Sequence, residues 1–497
     1  MKDVLTPSQS RNADQALIQQ YGISGEVLME RAAQGVVQAI NARFQDSARI
    51  LILCGPGNNG GDGFAVLRQL HEAGRRADCW FSANAEKLSS DALAHYHRAL
   101  QAGCRFLPTL PNPAEYACVV DALFGTGLSR PLSPAYCEVI SKVNACAAYR
   151  ISVDIPSGID GLTGRCCGAA IRADETVTFQ YVKCGLLLCP GREYAGKIQI
   201  HPIAEQYPVS SDTSWLEASD IRSILPPRPL DSHKGKNGRA LLCVGSERYT
   251  GAALLSARAA LRGGCGLLSV AVPAAVKPAF SVVPEAMCVP CGNTGSWDEA
   301  AQSDACERID ASQAVGIGCG MGEMSMHRLL RAVIASHRPA VVDADALNQL
   351  AAYPELLAQL HPNVVLTPHP AEMARLLRCS VGDVLENPIE TARESADKMG
   401  CIVLLKGATT CISNGSKTAL NTTGNPGLAK GGSGDVLTGL LLALLSQKIP
   451  PFQAACAAAF LLGASADLAF QILGNRMLIA GDVIDAISQE IRAERVH

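Results

Sequence analysis

Nothing in this 497-residue chain marks it for export, for a membrane or for nucleic acid. The opening MKDVLTPSQSRNADQ lacks the apolar stretch of a secretory signal. Of the two apolar runs, 436–445 is too short to span a bilayer, and 454–473 carries Asp467 and many small residues. Both are expected as core helices. No basic run occurs, and a net charge of −3 leaves no field to hold a polyanion or an anionic membrane. Twenty cysteines are present without a metal-binding framework. Only Cys288-Val-Pro-Cys291 has CxxC spacing, and no second Cys or His pair follows at zinc-site distance. The others sit in apparent strands and helices and read as small buried hydrophobes in a reducing compartment. The expectation is a cytoplasmic protein that acts on small molecules.

What is there describes a globular α/β chain. It is 48% hydrophobic and 18% charged, and too long for one ordinary core, so at least two domains are expected. Thr6-Pro7-Ser8-Gln9 has the cap, proline and glutamine of a helix start, and Ser24 caps a second helix over Gly25–Arg43. Strand Arg49–Cys54 then enters the loop GPGNNGGDG (55–63), followed by a helix over 64–73. That order opens a doubly wound domain. The loop is not the dinucleotide fingerprint GxGxxG. The next strand, 77–81, runs into Ser82-Ala83-Asn84, where an acid would be needed to hold a ribose. A plain hydride-transferring dehydrogenase is therefore disfavoured. The glycines still let backbone approach a ligand, and Asn58, Asn59 and Asp62 add oxygens.

Two further strands end in chemistry, 117–120 at Asp121 and 150–153 at Asp154-Ile-Pro-Ser157. The C-terminal strand ends of a parallel sheet share one edge, so Asn59, Asp121, Asp154 and Ser157 should converge. Asn59, Asp121 and Ser157 offer oxygens with a single carboxylate, which suits a hard monovalent cation. Asp121 capping the following segment is an equal reading.

A turn-rich seam at 206–236 includes Pro226-Pro-Arg-Pro. A second α/β series follows, with strands at 239–244, 267–272, 314–317, 340–342, 363–366 and 402–405 and a helix over 252–262. It leads to NTTGNPGLAKGGSGDVLTG (421–439), whose glycines pass directly into an apolar run. Such a loop gathers unpaired N–H groups and the positive end of a helix dipole at one point, which suits phosphate. Asp435 at that mouth would repel phosphate in the ground state. A base that takes a proton from a hydroxyl attacking phosphorus accounts for it. The plainer role is a helix N-cap, and the GGSGD cluster together with a second anion-ready segment favours the base. His369, between two prolines at a strand end, is a substrate-contact candidate. Lys406-Gly407-Ala408-Thr409-Thr410 brings a cation and two hydroxyls suited to a nucleotide. Asp343 and Asp345 either meet Mg²⁺ through phosphate oxygens or begin the next helix.

Together these segments resemble the bifunctional NAD(P)H-hydrate repair enzymes over nearly the whole chain. In the first half the likeness rests on SGEVLMERA, GPGNNGGDGF, VVDALFGTGLSRP and VDIPSGIDG. In the second it rests on HKGKNGRALLCVGS, GAALLSARAAL, VVDADALN, LTPHPAEMARLL, VLLKGATT and NPGLAKGGSGDVLTG. The resemblance implies a Rossmann-like epimerase domain over 1–210 and a ribokinase-like, ADP-dependent dehydratase domain over 216–497. The epimerase would interconvert the R and S hydrates of NADH and NADPH. The dehydratase would return the S hydrate to NAD(P)H with AMP and phosphate as by-products. It implies an epimerase substrate site of Asn58, Asn59, Gly60, Gly61, Asp62, Gly125, Thr126, Gly127, Leu128, Ser129, Arg130, Pro131 and Asp154, with Asp154 as acid/base. Asn59, Asp121 and Ser157 resemble potassium ligands. Ala253, Gly320, His369 and Asp435 resemble the dehydratase substrate contacts, with Asp435 catalytic. Lys406, Gly407, Ala408, Thr409, Thr410 and Gly434 would surround the nucleotide, and Mg²⁺ would accompany it. Thr409 stands where many relatives carry glycine, which bulks that loop. The expected partners are the hydrates and ADP, with the chain as a homo-oligomer. The rival expectation is a ribokinase-like small-molecule kinase fused to a non-catalytic nucleotide-binding domain.

Overall fold

The computed structural model describes residues 1–225 and 227–493. Pro226, part of the proline-rich seam, lies outside the described residues. Contacts divide the chain into two compact units, Lys2–Ser211 and Asp212–His497 with Met1.

The N-terminal unit is built on a seven-stranded, wholly parallel sheet. Its spatial order is Arg105–Leu107, Arg76–Phe81, Arg49–Cys54, Cys118–Ala122, Tyr149–Val153, Glu175–Phe179 and Lys197–His201. The chain runs outward from Arg49–Cys54 to one edge, then returns beside that strand and builds toward the other edge. Ligands of such sheets bind at the crevice where the order reverses. Here that crevice lies between the ends of Arg49–Cys54 and Cys118–Ala122. Both strands are buried nearly throughout, as parallel strands covered on two faces must be. Helices Pro7–Tyr21 and Gly25–Arg43 start at Thr6 and Ser24, and the Thr6 side chain and Gln9 form the expected capping box.

One element differs from expectation. The loop over 55–63 is short, and the helix begins at Asn58 rather than Phe64, running Asn58–Glu72. Glycines weaken a helix by about 1 kcal/mol each against alanine, yet packing requires them here. A Cβ on Gly60 would lie 2.1 Å from the Gly55 carbonyl oxygen, and one on Gly63 would lie 2.7 Å from Cys54 Sγ. The glycines serve the approach of helix to sheet more than the approach of a ligand to backbone.

The C-terminal unit holds a second sheet with the same reversal. Seven parallel strands run in the order Met287–Cys291, Leu267–Pro273, Arg239–Cys243, Ala314–Ile317, Ala340–Val342, Val364–Leu366 and Ile402–Leu405. Thr410–Ser413 and Thr418–Asn421 extend it antiparallel, and Thr213–Trp215 pairs parallel with the latter. The seam is therefore more than a linker, since its strand and the helix Ala218–Ile224 bring Leu216 and Ile221 into this unit's core. Helix Ser433–Ser446 is buried from Val436 to its end and is apolar on all sides, as a central core helix should be. Helix Pro451–Met477 is long and apolar enough to cross a membrane, but twelve of its residues are buried inside the protein. All twenty cysteines are free thiols. Cys288 and Cys291 lie three apart on one strand, so their side chains leave opposite faces.

Two candidate active sites

In the N-terminal unit, a cavity of about 620 Å³ opens at the crevice. Asn58, Asn59, Asp62, Asp154 and Gly125 to Arg130 line it; Gly60 and Gly61, packed inside the helix, and Pro131 do not. Asp154 follows strand Tyr149–Val153 with φ +66°. A non-glycine residue in the left-handed region costs energy, and surroundings must hold it there. Thr178 Oγ1 donates to Asp154 Oδ1 at 3.1 Å, and the ammonium of Lys183 pairs with the same oxygen. Lys183 and Asp14, another carboxylate on the cavity wall, escaped the sequence reading. Neither sits in a glycine-rich or strand-end motif, so no local signal pointed to them. Burial pushes the Asp14 carboxyl up, against the Tyr207 hydroxyl that donates to it at 2.6 Å.

Asp121 lies within strand Cys118–Ala122, not past its end, and is wholly buried. It accepts from Ser152 Oγ at 2.8 Å, Ser157 N at 2.8 Å, Leu123 N at 3.3 Å and the Ser157 hydroxyl. Burial pushes its carboxyl up, and the Ser157 hydroxyl bond pulls it back. The Phe124 carbonyl oxygen lies 3.2 Å from Ser157 Oγ. Asn59 is also buried, and its amide nitrogen has no partner. The two amide ends of an asparagine are assigned by their bonds. Turned over, Asn59 presents an unsatisfied oxygen near Gly125, in the loop that follows Asp121; oxygen donors of this kind suit a hard cation.

In the C-terminal unit, Gly432 caps the Ser433–Ser446 helix with φ +98°, a conformation open to glycine but costly for other residues. Ser433, Gly434 and Asp435 are the first three helical residues, and their N–H groups have no acceptor within the helix. Asp435 is thus not the N-cap. Burial pushes its carboxyl up to about 6; a hydrogen bond from Cys319 opposes this, the Asp343 charge adds to it, and Lys406 counters.

Asp343 is 1% exposed and saturated. Lys406 Nζ donates to its Oδ1 at 2.8 Å and Thr438 Oγ1 to its Oδ2 at 2.9 Å. Asp345 accepts the Gly322 N–H at 2.8 Å. Of the two roles expected for them, the start of the next helix is seen, at Asp345–Ala352. Ala344 between them takes φ +50°, which aims Asp343 inward and starts helix Asp345–Ala352. A Cβ on Gly434 would lie 3.4 Å from Asp343 Oδ2 and 3.7 Å from Lys406 Nζ, so the helix mouth, the lysine and the acid are neighbours.

His369 caps helix Pro370–Leu377. Its Nδ1 accepts the N–H groups of Ala371 at 3.1 Å and Glu372 at 3.3 Å, which places the proton on Nε2, facing Glu372 Oε1 at 3.4 Å. Glu372, buried and 3.8 Å from Lys406, was not singled out because an acid three residues past a cap reads simply as a capping box. Gly320 has φ +63°, and its carbonyl accepts Ser246 Oγ at 2.9 Å. Ala253 is wholly buried beneath Gly245, a packed floor for the nearby loops. Gly407 and Ala408 are exposed at the hairpin turn between Ile402–Leu405 and Thr410–Ser413, whereas Thr409 is buried.

Comparison with known proteins bears on both units. A family model described as NAD(P)H-hydrate dehydratase matches residues 240–489, and one described as YjeF-related protein N-terminus matches 25–185. A bifunctional NAD(P)H-hydrate repair enzyme of Moorella thermoacetica is 36% identical, covering 98% of this chain and 96% of its own. That of Escherichia coli K12 is 32% identical, covering 95% and 91%. Among solved structures, a ribokinase-like superfamily protein from Enterococcus faecalis V583 covers 58% of this chain and 99% of its own, at 24% identity and TM-score 0.51. That likeness gives the ribokinase-like fold.

Proposed function

The chain belongs to the bifunctional NAD(P)H-hydrate repair enzymes, epimerase and dehydratase in one polypeptide, and on that premise we propose how its two sites divide the work. The N-terminal unit takes NADHX or NADPHX, in which water has added to a ring double bond beside nitrogen. A hydroxyl on such a carbon leaves and returns through an iminium, and return on the opposite face exchanges R for S. Asp154 supplies the acid/base chemistry there, and Asn58, Asp62 and the 125–130 loop hold the substrate.

The C-terminal unit removes the hydroxyl of the S epimer with ADP. Asp435 takes the hydroxyl proton, and the oxygen attacks the terminal phosphorus, releasing AMP. The N–H groups of the GGSG turn and Lys406 stabilise the charge that develops. The phosphorylated oxygen then departs as phosphate while a neighbouring ring C–H gives up its proton, and the double bond re-forms. His369 and Gly320 border the nicotinamide, and Lys406 to Thr410 with Gly434 border the nucleotide.

Potassium suits Asn59, Asp121 and Ser157, supported by the partnerless Asn59 amide and by the oxygens that Asp121 and Ser157 bring together. Bound there, it would neutralise the buried Asp121 charge and stiffen the loop after that strand. Magnesium suits the nucleotide phosphates. The chain works in the cytoplasm on small molecules, as a homo-oligomer.

The observation that carries this reading is a carboxylate at the third position of a glycine-opened helix whose mouth neighbours Lys406 and Asp343. Incubation with mixed R and S hydrates plus ADP tests it. Full return of NAD(P)H absorbance with AMP formed in step is expected. Accumulation of a stable phosphate ester without that absorbance would instead mark a small-molecule kinase.

A further inference from the structure

Lys183 ends the short strand Val182–Lys183 and is 2% exposed. An ammonium has three protons to place. Lys183 places them on Asp154 Oδ1, on Thr178 Oγ1 at 3.1 Å and on the Phe179 carbonyl oxygen at 3.0 Å. Among the described residues, each hydrogen bond that Asp154 accepts falls on Oδ1, from Lys183, from Thr178 and from Phe179 N at 3.4 Å. Its Oδ2 is left to the cavity that Asp154 lines. Asp62 lines the same cavity and makes no hydrogen bond or ion pair with a described residue. A further carboxylate, Asp14, accepts from the Tyr207 hydroxyl.

We propose that Lys183 is the positioning residue of the epimerising site, fixing Asp154 as the base with Oδ2 as its reacting oxygen, and that Asp62 is the acid on the same cavity. This rests on reading the N-terminal unit as the epimerase. Two carboxyls given opposite environments, one beside a buried ammonium and one without a cation of its own, divide into base and acid. Burial pushes the Asp62 carboxyl well up, and the charges of Asp154 and Asp14 push it further, against Lys183. Arg11, Asp91 and Arg130 are the other charged side chains on the cavity wall.

The step balances without a further reactant. The Asp62 carboxyl protonates the ring hydroxyl, the carbon–oxygen bond breaks with its electron pair leaving on water, and the ring nitrogen lone pair closes the iminium. A water adds to the other face as Asp154 Oδ2 takes its proton. Exchange with solvent then restores protonated Asp62 and ionised Asp154.

The test uses the full chain with potassium and the R hydrate alone, without nucleotide. Formation of the S hydrate is followed by chromatography from pH 5 to 9, with the uncatalysed rate subtracted and each variant's melting recorded in the same buffers. Asp62→Asn should lower the rate about 10²–10⁴-fold, the usual contribution of a positioned acid, and abolish the alkaline limb. Lys183→Met should lower kcat by up to about 10²-fold with KM little changed, because Asp154 loses the ammonium that holds Oδ1 and leaves Oδ2 to the cavity. Lys183→Arg, which keeps a cation beside Oδ1, should recover part of that kcat; should Lys183→Met fail to fold, Lys183→Gln is read in the same way. An alkaline limb intact in Asp62→Asn, or an unchanged kcat in a folded Lys183 variant that has lost the cation, overturns the proposal. A wild-type chain that does not convert R to S would remove the epimerase reading as well, which separates the two failures.

Discussion

Replacing Asp435 by Asn should slow the ADP-driven reaction and at the same time stabilise the protein. A positioned base contributes roughly 10²–10⁴-fold, so turnover should fall by about that factor. The stability change follows from the raised carboxyl. Its folded value is about 6 against an ordinary value of 3.8. Between those values the folded chain binds the proton more tightly than the unfolded chain, so stability falls as pH rises through that window. At about 1.4 kcal/mol per unit, the ionised Asp435 costs the wild type about 0.5 kcal/mol at pH 4 and up to about 3 kcal/mol at pH 8. The neutral amide of the Asp435→Asn variant escapes the cost and keeps the shape. Melting followed by circular dichroism at pH 5 and pH 8 should show the variant more stable by a margin that grows with pH. The wild-type acid limb of the dehydration rate should centre near 6. A merely structural role predicts turnover kept, since Asn serves a helix start about as well as Asp. Near-normal turnover, or an advantage that does not grow with pH, would refute the reasoning.

Asp343→Asn should weaken nucleotide binding by leaving Lys406 with only Glu372, 3.8 Å away. It should also move the acid limb of dehydration down, since the Asp343 charge helps hold Asp435 up; an unmoved limb would show that Asp343 has no hold on the base. Asp121→Ala should blunt the thermal stabilisation that potassium gives the N-terminal unit while dehydration of the S hydrate continues, and an unchanged potassium titration would count against that ligand set. Polypeptides 1–211 and 212–497, cut where the compact units meet in sequence, should each fold, the first epimerising and the second dehydrating S hydrate only. Cutting at Ser214 should damage the second piece, because it severs the strand Thr213–Trp215; loss of both activities in the 211/212 pair would contradict self-sufficient domains.

Much of the fold was legible locally. Short apolar runs closed by turn residues gave most strands to within a residue or two, because a strand buried on both faces needs an unbroken apolar stretch. Caps were readable for the same reason: Thr6, Pro7 and Gln9 form their bonds within four residues. The GPGNNGGDG helix was misread because glycine's local preference points to a loop. Only the approach of Cys54 and Gly55 makes those glycines helical.

The sequence by itself determined two α/β units, the strand ends that carry Asp121, Asp154, Asp343 and Lys406, and the glycine-opened helix behind Asp435. These are decided by residue patterns a few positions long. Only the tertiary structure decided the partnerships: Lys183 with Asp154 across 29 positions, Lys406 with Asp343 across 63, and Thr438 with Asp343 across 95. A lysine or aspartate carries no mark of its partner. Its charge state and chemistry follow from which groups the folded sheet places beside it and how much water the fold removes.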